Sequence, residues 1–138
     1  MNKKIWPGFA AVFVVVFLLD WLIHGGFLSS IYKETEHLWR AEEEMKMGVM
    51  IIAQLFFAFF FTFIFSKGYE GRGIAEGVRY GLYVSLMMNV PAAYGTYAVM
   101  DLPYSLPLQW FIYGTIEFII AGIALALIFG KKEAAAST

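Results

Sequence analysis

The chain has 138 residues, of which 60% are hydrophobic and only 15% charged, with a net charge of -1 and no cysteine. A soluble domain of this size could not hide that much apolar surface, so lipid is the expected solvent. The near-neutral charge gives no concentrated basic surface for nucleic acid, and the lack of cysteine removes thiol redox chemistry, disulfides and thiolate metal sites.

Four apolar stretches, 5–31, 47–66, 78–100 and 107–130, fill most of the chain. A hydrocarbon core about 30 Å thick needs about 20 helical residues, so each stretch predicts a transmembrane helix. Charges gather in the gaps between them, where a soluble helix would carry them along one face. The expected fold is a single-domain, all-α membrane protein: an antiparallel bundle of four transmembrane helices over 1–138.

The first stretch comes after Lys3 and Lys4, as a signal peptide would. Its apolar run exceeds the roughly 7 to 15 residues of a signal core, so it is read as a permanent span. The connection 32–46 is predicted as a short amphipathic segment along the outer interface, with Thr35 as its cap. Glu36 and Arg40, and Glu42 and Lys46, stand four apart there, beside Leu38 and Trp39. Tyr32, Trp39, Tyr104, Trp110 and Tyr113 would form the outer aromatic belt, with Trp6, Tyr69 and Tyr80 at the inner one.

The second stretch places Gln54, Ala58, Thr62 and Ser66 at four-residue spacing, opposite a run of phenylalanines from Phe56 to Phe65 expected mainly to face lipid. The glycines of the 67–76 connection, Gly68, Gly71 and Gly73, read as a tight turn. No Lys-Ser/Thr pair succeeds them to make a phosphate loop. The third stretch carries small residues over its whole length: Gly73, Gly77, Gly81, Ser85, Asn89 and Ala93, with Pro91 expected to bend the helix. Pro103 and Pro107 bracket the last connection, and the fourth span offers Gly122, Ala126 and Gly130. Small residues at this spacing let helix backbones approach closely, within one chain or between copies. The tail 131–138 reads as a small polar cytoplasmic end.

Orientation is set by lysine and arginine. Lys3, Lys4, Lys67, Arg72, Arg79, Lys131 and Lys132 fall on one side, and only Lys33, Arg40 and Lys46 on the other, which predicts both termini in the cytoplasm. The localisation expected is a bacterial inner membrane.

Helical rise puts Asp20, Asn89 and Glu117 near the bilayer centre, with Gln54 slightly and His24 about one turn toward the outer side. Asp20 and His24 share one helix face. An ionisable group at that depth costs about 2.5 to 3.5 kcal/mol to insert and must face inward. Such a layer has two readings: a proton-accepting or cation-binding site, or a set of neutral hydrogen bonds that locks helix register. The residues predict no catalytic group, no metal site and no cofactor. His24 and His37 lie in different environments and do not make paired haem ligands within the membrane, and only Glu34 to His37 has Glu-x-x-His spacing.

One family fits this arrangement. Asp20, Gly25 and Gly26 precede an outer segment with Trp39; Gly77 and Gly81 open a third span that runs into Asn89, Pro91 and Tyr94; a glycine-containing span closes the chain. This looks like the short four-span bacterial membrane proteins grouped as a domain of unknown function, and the resemblance covers most of the chain. It implies a four-helix inner-membrane protein without assigned activity. Small multidrug exporters are similar in architecture, with four spans and an acidic residue in the first, where Asp20 takes the carboxylate's part. The phenylalanine-rich second span and the long acidic outer loop depart from that plan. The function expected is an accessory or structural membrane component, or a homo-oligomer packed through the small-residue stripes. Its partners would be the bilayer, itself or a larger membrane complex. The alternative is a small proton- or cation-coupled transporter using Asp20, His24 and Glu117.

Overall fold

A computed structural model describes residues 2–131, which leaves the predicted tail beyond Lys131, with Lys132, outside the described residues. Helix α1 (Ile5–Leu22) runs straight into a π-helical turn, Ile23–Phe27. Leu28 then breaks the regular geometry, and α2 (Ser29–Glu34) comes next. Three longer helices complete the fold: α3 (Met47–Gly68), α4 (Ile74–Val99) and α5 (Ser105–Phe129). The described residues are otherwise turns and short 3-10 segments, with no strand among them.

Three segments, Ile5–Phe27, Met47–Gly68 and Ser105–Phe129, are long and apolar enough to cross a membrane. Helix α4 is as long, at 26 residues, but more polar, because Glu76, Arg79 and Asn89 interrupt it. Large apolar side chains are exposed along every long helix, including Trp21, Phe56, Met87 and Leu127. Lipid is the solvent that makes such a surface stable.

Side-chain pairings fix the helix directions. Asp20 meets Gln54, and the position of Gly8 abuts Thr62, so α1 and α3 are antiparallel. Gly8 also abuts Leu125 and Phe129, which sets α1 antiparallel to α5. Helix α4 lies antiparallel on α5, as Gly77 faces Gly122 and Gly81 faces Phe118.

That α4–α5 seam is backbone on backbone. A Cβ placed on Gly77 would collide with the Gly122 carbonyl, and one on Gly81 with the Phe118 carbonyl. Gly77, Gly81, Ser85, Gly122 and Ala126 are all buried, as the stripe predicts. Gly73 does another job: at φ +85° it turns the chain into α4, a conformation that favours glycine. Glu76, in the first turn of α4, accepts the backbone N–H of Glu70 at 2.6 Å and of Arg72 at 2.8 Å. The 67–76 connection is therefore a capped turn, with donors satisfied where the helix dipole favours an acid.

Several expectations change. The first span is not a uniform helix to residue 31, because the π turn falls at His24-Gly25-Gly26, where two glycines lower the cost of irregular backbone. The outer segment is not an amphipathic helix. Thr35 caps nothing; its hydroxyl donates back to the Ile31 carbonyl at 2.7 Å and accepts from Trp39 Nε1 at 2.9 Å. Beyond it the chain forms two 3-10 turns, Glu36–Leu38 and Glu42–Glu44, so the four-residue spacing no longer stacks charges on one face.

The phenylalanines do not mainly face lipid. Phe56 and Phe60 do, but Phe61 and Phe65 are buried beside Ala58 and Thr62. Their rings meet Phe118, Tyr80 and Phe129, and Phe57 stacks on Phe118 with centroids 4.7 Å apart. At about 100° per residue, seven phenylalanines within ten positions must turn part of themselves inward. Pro91 stands exposed inside α4, which continues as one helix on both sides of it.

Candidate functional site

Two hydrophobic clusters divide the interior along its length. One is built on Val12, Val16, Phe61, Phe65 and Leu125; the other on Ile23, Leu28, Leu102 and Leu106. Asp20 lies on α1 between Val16 and Ile23, at the junction of the two. It is the centre of a polar chain drawn from four helices.

Gln54 of α3 donates from Nε2 to Asp20 Oδ2 at 2.6 Å. His24, one turn along α1, places Nε2 3.6 Å from Asp20 Oδ1, an electrostatic contact too long for a hydrogen bond. On its other side, His24 Nδ1 lies 2.7 Å from the Tyr32 hydroxyl. Trp110 of α5 donates to that same oxygen, also at 2.7 Å. The phenol is thus held between the indole and the imidazole, which ties α5 to the turn that follows α1.

Geometry explains how Tyr32 reaches His24. In an unbroken α-helix residues eight apart are about 80° out of line, whereas one extra residue absorbed in a π turn brings them within about 20°. The π turn and the break at Leu28 lie between them and bring the phenol beside the imidazole, the two rings tilted by 32° with centroids 5.9 Å apart. Tyr32 lies beyond the span, and burial raises its pKa above 10.0; the Trp110 hydrogen bond works against this, and the Asp20 charge adds to it.

Glu117 of α5 completes the set from the buried side. It is only 5% exposed, and its carboxyl stands near that of Asp20. One of its oxygens, Oε1, has no hydrogen-bond partner among the described residues. A buried polar atom left without a partner costs free energy, and such atoms concentrate where function requires them.

Of the five predicted polar residues, the structure unites Asp20, His24, Gln54 and Glu117. Asn89 is elsewhere. Its Nδ2 donates to Ser85 Oγ at 2.9 Å, Ser85 meets Thr115 Oγ1 at 2.7 Å, and Thr115 donates to the Phe111 carbonyl at 2.7 Å. This second chain pins α4 to α5 beside Gly114, and none of its side-chain atoms is buried without a partner among the described residues. Height along a helix put Asn89 in the same layer; azimuth separates it.

Sequence reasoning missed Tyr32, Trp110, Ser85 and Thr115 as members of these chains. Tyr32 and Trp110 carried the ordinary signal of an interfacial aromatic, and only the glycine pair after His24 hinted at the turn that joins them. Among the described residues, no group of three or more His, Asp or Glu side chains gathers as a metal site would require.

Comparison with known proteins returns no match: no family model, no curated protein and no solved structure aligns with this chain.

Proposed function

We propose that this chain is a four-span inner-membrane protein, with both termini cytoplasmic, whose Asp20–Glu117 carboxyl pair takes up and releases a proton through His24 and Tyr32. The function is proton-linked, that of a small proton- or cation-coupled transporter rather than an enzyme. One observation carries this reading: a buried carboxyl oxygen, Glu117 Oε1, without a partner beside a second carboxyl. Register locking needs no such atom, and the Asn89 chain locks register with none. Intramembrane ionisable groups facing a protein interior mark ion and proton pathways.

The topology rests on the apolar helices, on the antiparallel pairing of α4 with α5, and on the Lys/Arg imbalance between the connections. Reporter fusions after Lys67 and at the C-terminus should read cytoplasmic, and one at Glu43 external; an external C-terminus overturns the orientation. The small-residue stripe lends no support to self-association, because both sides of it are consumed within one chain.

Infrared difference spectra of the protein in bilayers, recorded across a pH titration, test the proton site. A protonated-carboxyl band should appear, and Asp20→Asn or Glu117→Gln should each remove or shift it while keeping the fold, since amides preserve hydrogen bonding but not titration. Proton uptake measured by a pH dye should fall in parallel. If both variants leave band and uptake untouched, the proton-linked reading fails. The accessory reading then regains its place, with a fixed co-purifying membrane partner as its signature.

A further inference from the structure

The side of the molecule away from Asp20 holds an open groove. Helices α3 and α4 stand apart there, bridged by Tyr80, whose hydroxyl donates to the Phe61 carbonyl. Two adjoining cavities of about 410 and 350 Å3 share Ile64 and Tyr80 as common walls. Each falls within the size range of ligand pockets. The first opens among Glu70, Arg72, Glu76 and Arg79 at the 67–76 end; the second is walled by Phe56, Phe60, Val84, Met87 and Met88 toward mid-span. The groove is therefore amphipathic along its length.

Its charges do not cancel equally. Arg72 pairs with Glu70 at 2.6 Å, and Glu76 is held by two backbone N–H groups. Arg79 has no carboxylate or hydrogen-bond partner among the described residues, and Lys67, at the end of α3, has only the face of Phe63, 5.0 Å from its centroid. Arg79 thus lines the groove without an acid of its own where the apolar part meets the interface, and Lys67 stands just outside the lining, beside Gly68 at the end of α3. Phenylalanine and methionine side chains suit flexible acyl chains, methionine because its unbranched thioether adapts to irregular shapes.

We propose that the α3–α4 groove binds an anionic phospholipid of the cytoplasmic leaflet, its phosphate held by Arg79 and Lys67 and an acyl chain laid between Phe56, Phe60 and Met87. The site rests on the topology proposed above but not on the proton site.

Native mass spectrometry of the full chain, released from vesicles of equimolar phosphatidylglycerol and phosphatidylcholine, tests it. Each cation near an anionic surface is worth about fivefold, so retained lipid should be enriched in phosphatidylglycerol by about fivefold or more. Arg79→Gln with Lys67→Gln should abolish the preference, while Arg40→Gln, in the outer segment, should leave it unchanged. Ala53→Trp and Met87→Trp, at exposed groove positions, should lower the number of retained lipids of either kind. Equal retention of both lipids by the native chain, or a preference that survives loss of both cations, overturns the proposal, as does a polypeptide held in the lipids' place. Fusion reporters judge the topology separately: an external C-terminus with headgroup selectivity intact would refute the leaflet and keep the site.

Discussion

Helix α5 has two working faces, and they are built on opposite principles. Toward α4 it presents Gly122, Ala126 and Gly114, and the backbones close until no Cβ fits between Gly77 and Gly122. The polar groups on that face run in one direction, from Asn89 to Ser85 to Thr115 to the Phe111 carbonyl, and none of their atoms is buried without a partner among the described residues. Toward α1 and α2 it presents Glu117 and Trp110, and there one carboxyl oxygen is left without a partner among the described residues. In lipid, where apolar packing gives no hydrophobic gain, the first face supplies association and the second is free to carry a strained polar group.

The contrast breaks first at the glycines. Gly81→Leu or Gly77→Leu must push apart backbones already in contact, so neither variant should yield a folded, monodisperse protein in detergent. Gly95→Leu, on the same helix with nothing near its Cβ position, should change stability by less than about 0.5 kcal/mol. A folded Gly81→Leu protein with an unaltered melting temperature would mean that α4 does not pack on α5 through this stripe.

The aromatic core gives the next largest effect. Phe61 is buried against Phe57, Tyr80 and Phe118, and Phe61→Ala should cost about 3 to 5 kcal/mol in unfolding experiments. Phe56→Ala, on the exposed face of the same helix, should cost far less. Equal costs would restore the view that the whole aromatic run faces lipid.

These two cases also show what the residues alone make legible. Glycine at four-residue spacing points to close backbone approach, a role that Gly77, Gly81 and Gly122 fill while Gly73 serves the turn instead. Phenylalanine in a helix apolar on every side carries no such sign, since lipid and protein interior accept it equally; which rings turn inward depends on where α5 and Tyr80 lie. The polar layer was readable as a height, from the distance of Asp20, Gln54 and Glu117 to the span ends. Its division into two chains was not, because depth says nothing of azimuth and moved Asn89 into the wrong company. The π turn at Ile23–Phe27 was equally hidden, and with it the link from His24 to Tyr32.

A smaller effect is expected from the register chain. Ser85→Ala removes the middle of Asn89–Ser85–Thr115, and interhelical hydrogen bonds in membranes average about 0.6 kcal/mol with a ceiling near about 1.7 kcal/mol. Because the glycine seam holds α4 in place regardless, Ser85→Ala should melt only slightly below the native chain and keep its proton uptake. A loss of uptake in Ser85→Ala would join the two faces of α5 into one site.

The finest test lies at the outer end of the carboxyl chain, where Tyr32 is buried. Burial raises its pKa above 10.0, with the Trp110 hydrogen bond opposing and Asp20 reinforcing that shift. A folded-state pKa above the unfolded one means that the unfolded chain loses its phenolic proton first. Tyr32 thus contributes stability that is fully present below about pH 10 and is lost as pH rises from there through the folded value. Tyr32→Phe removes this titration together with the contacts to His24 and Trp110, so it should cost about 0.5 to 1.5 kcal/mol at neutral pH. Above pH 10 its deficit against the native chain should shrink, as the native chain alone gives up the phenol's contribution. Denaturant unfolding at pH 8 and at pH 10.5 measures both quantities. A deficit that grows with pH would place Tyr32 in an environment that favours the phenolate and would overturn the raised value.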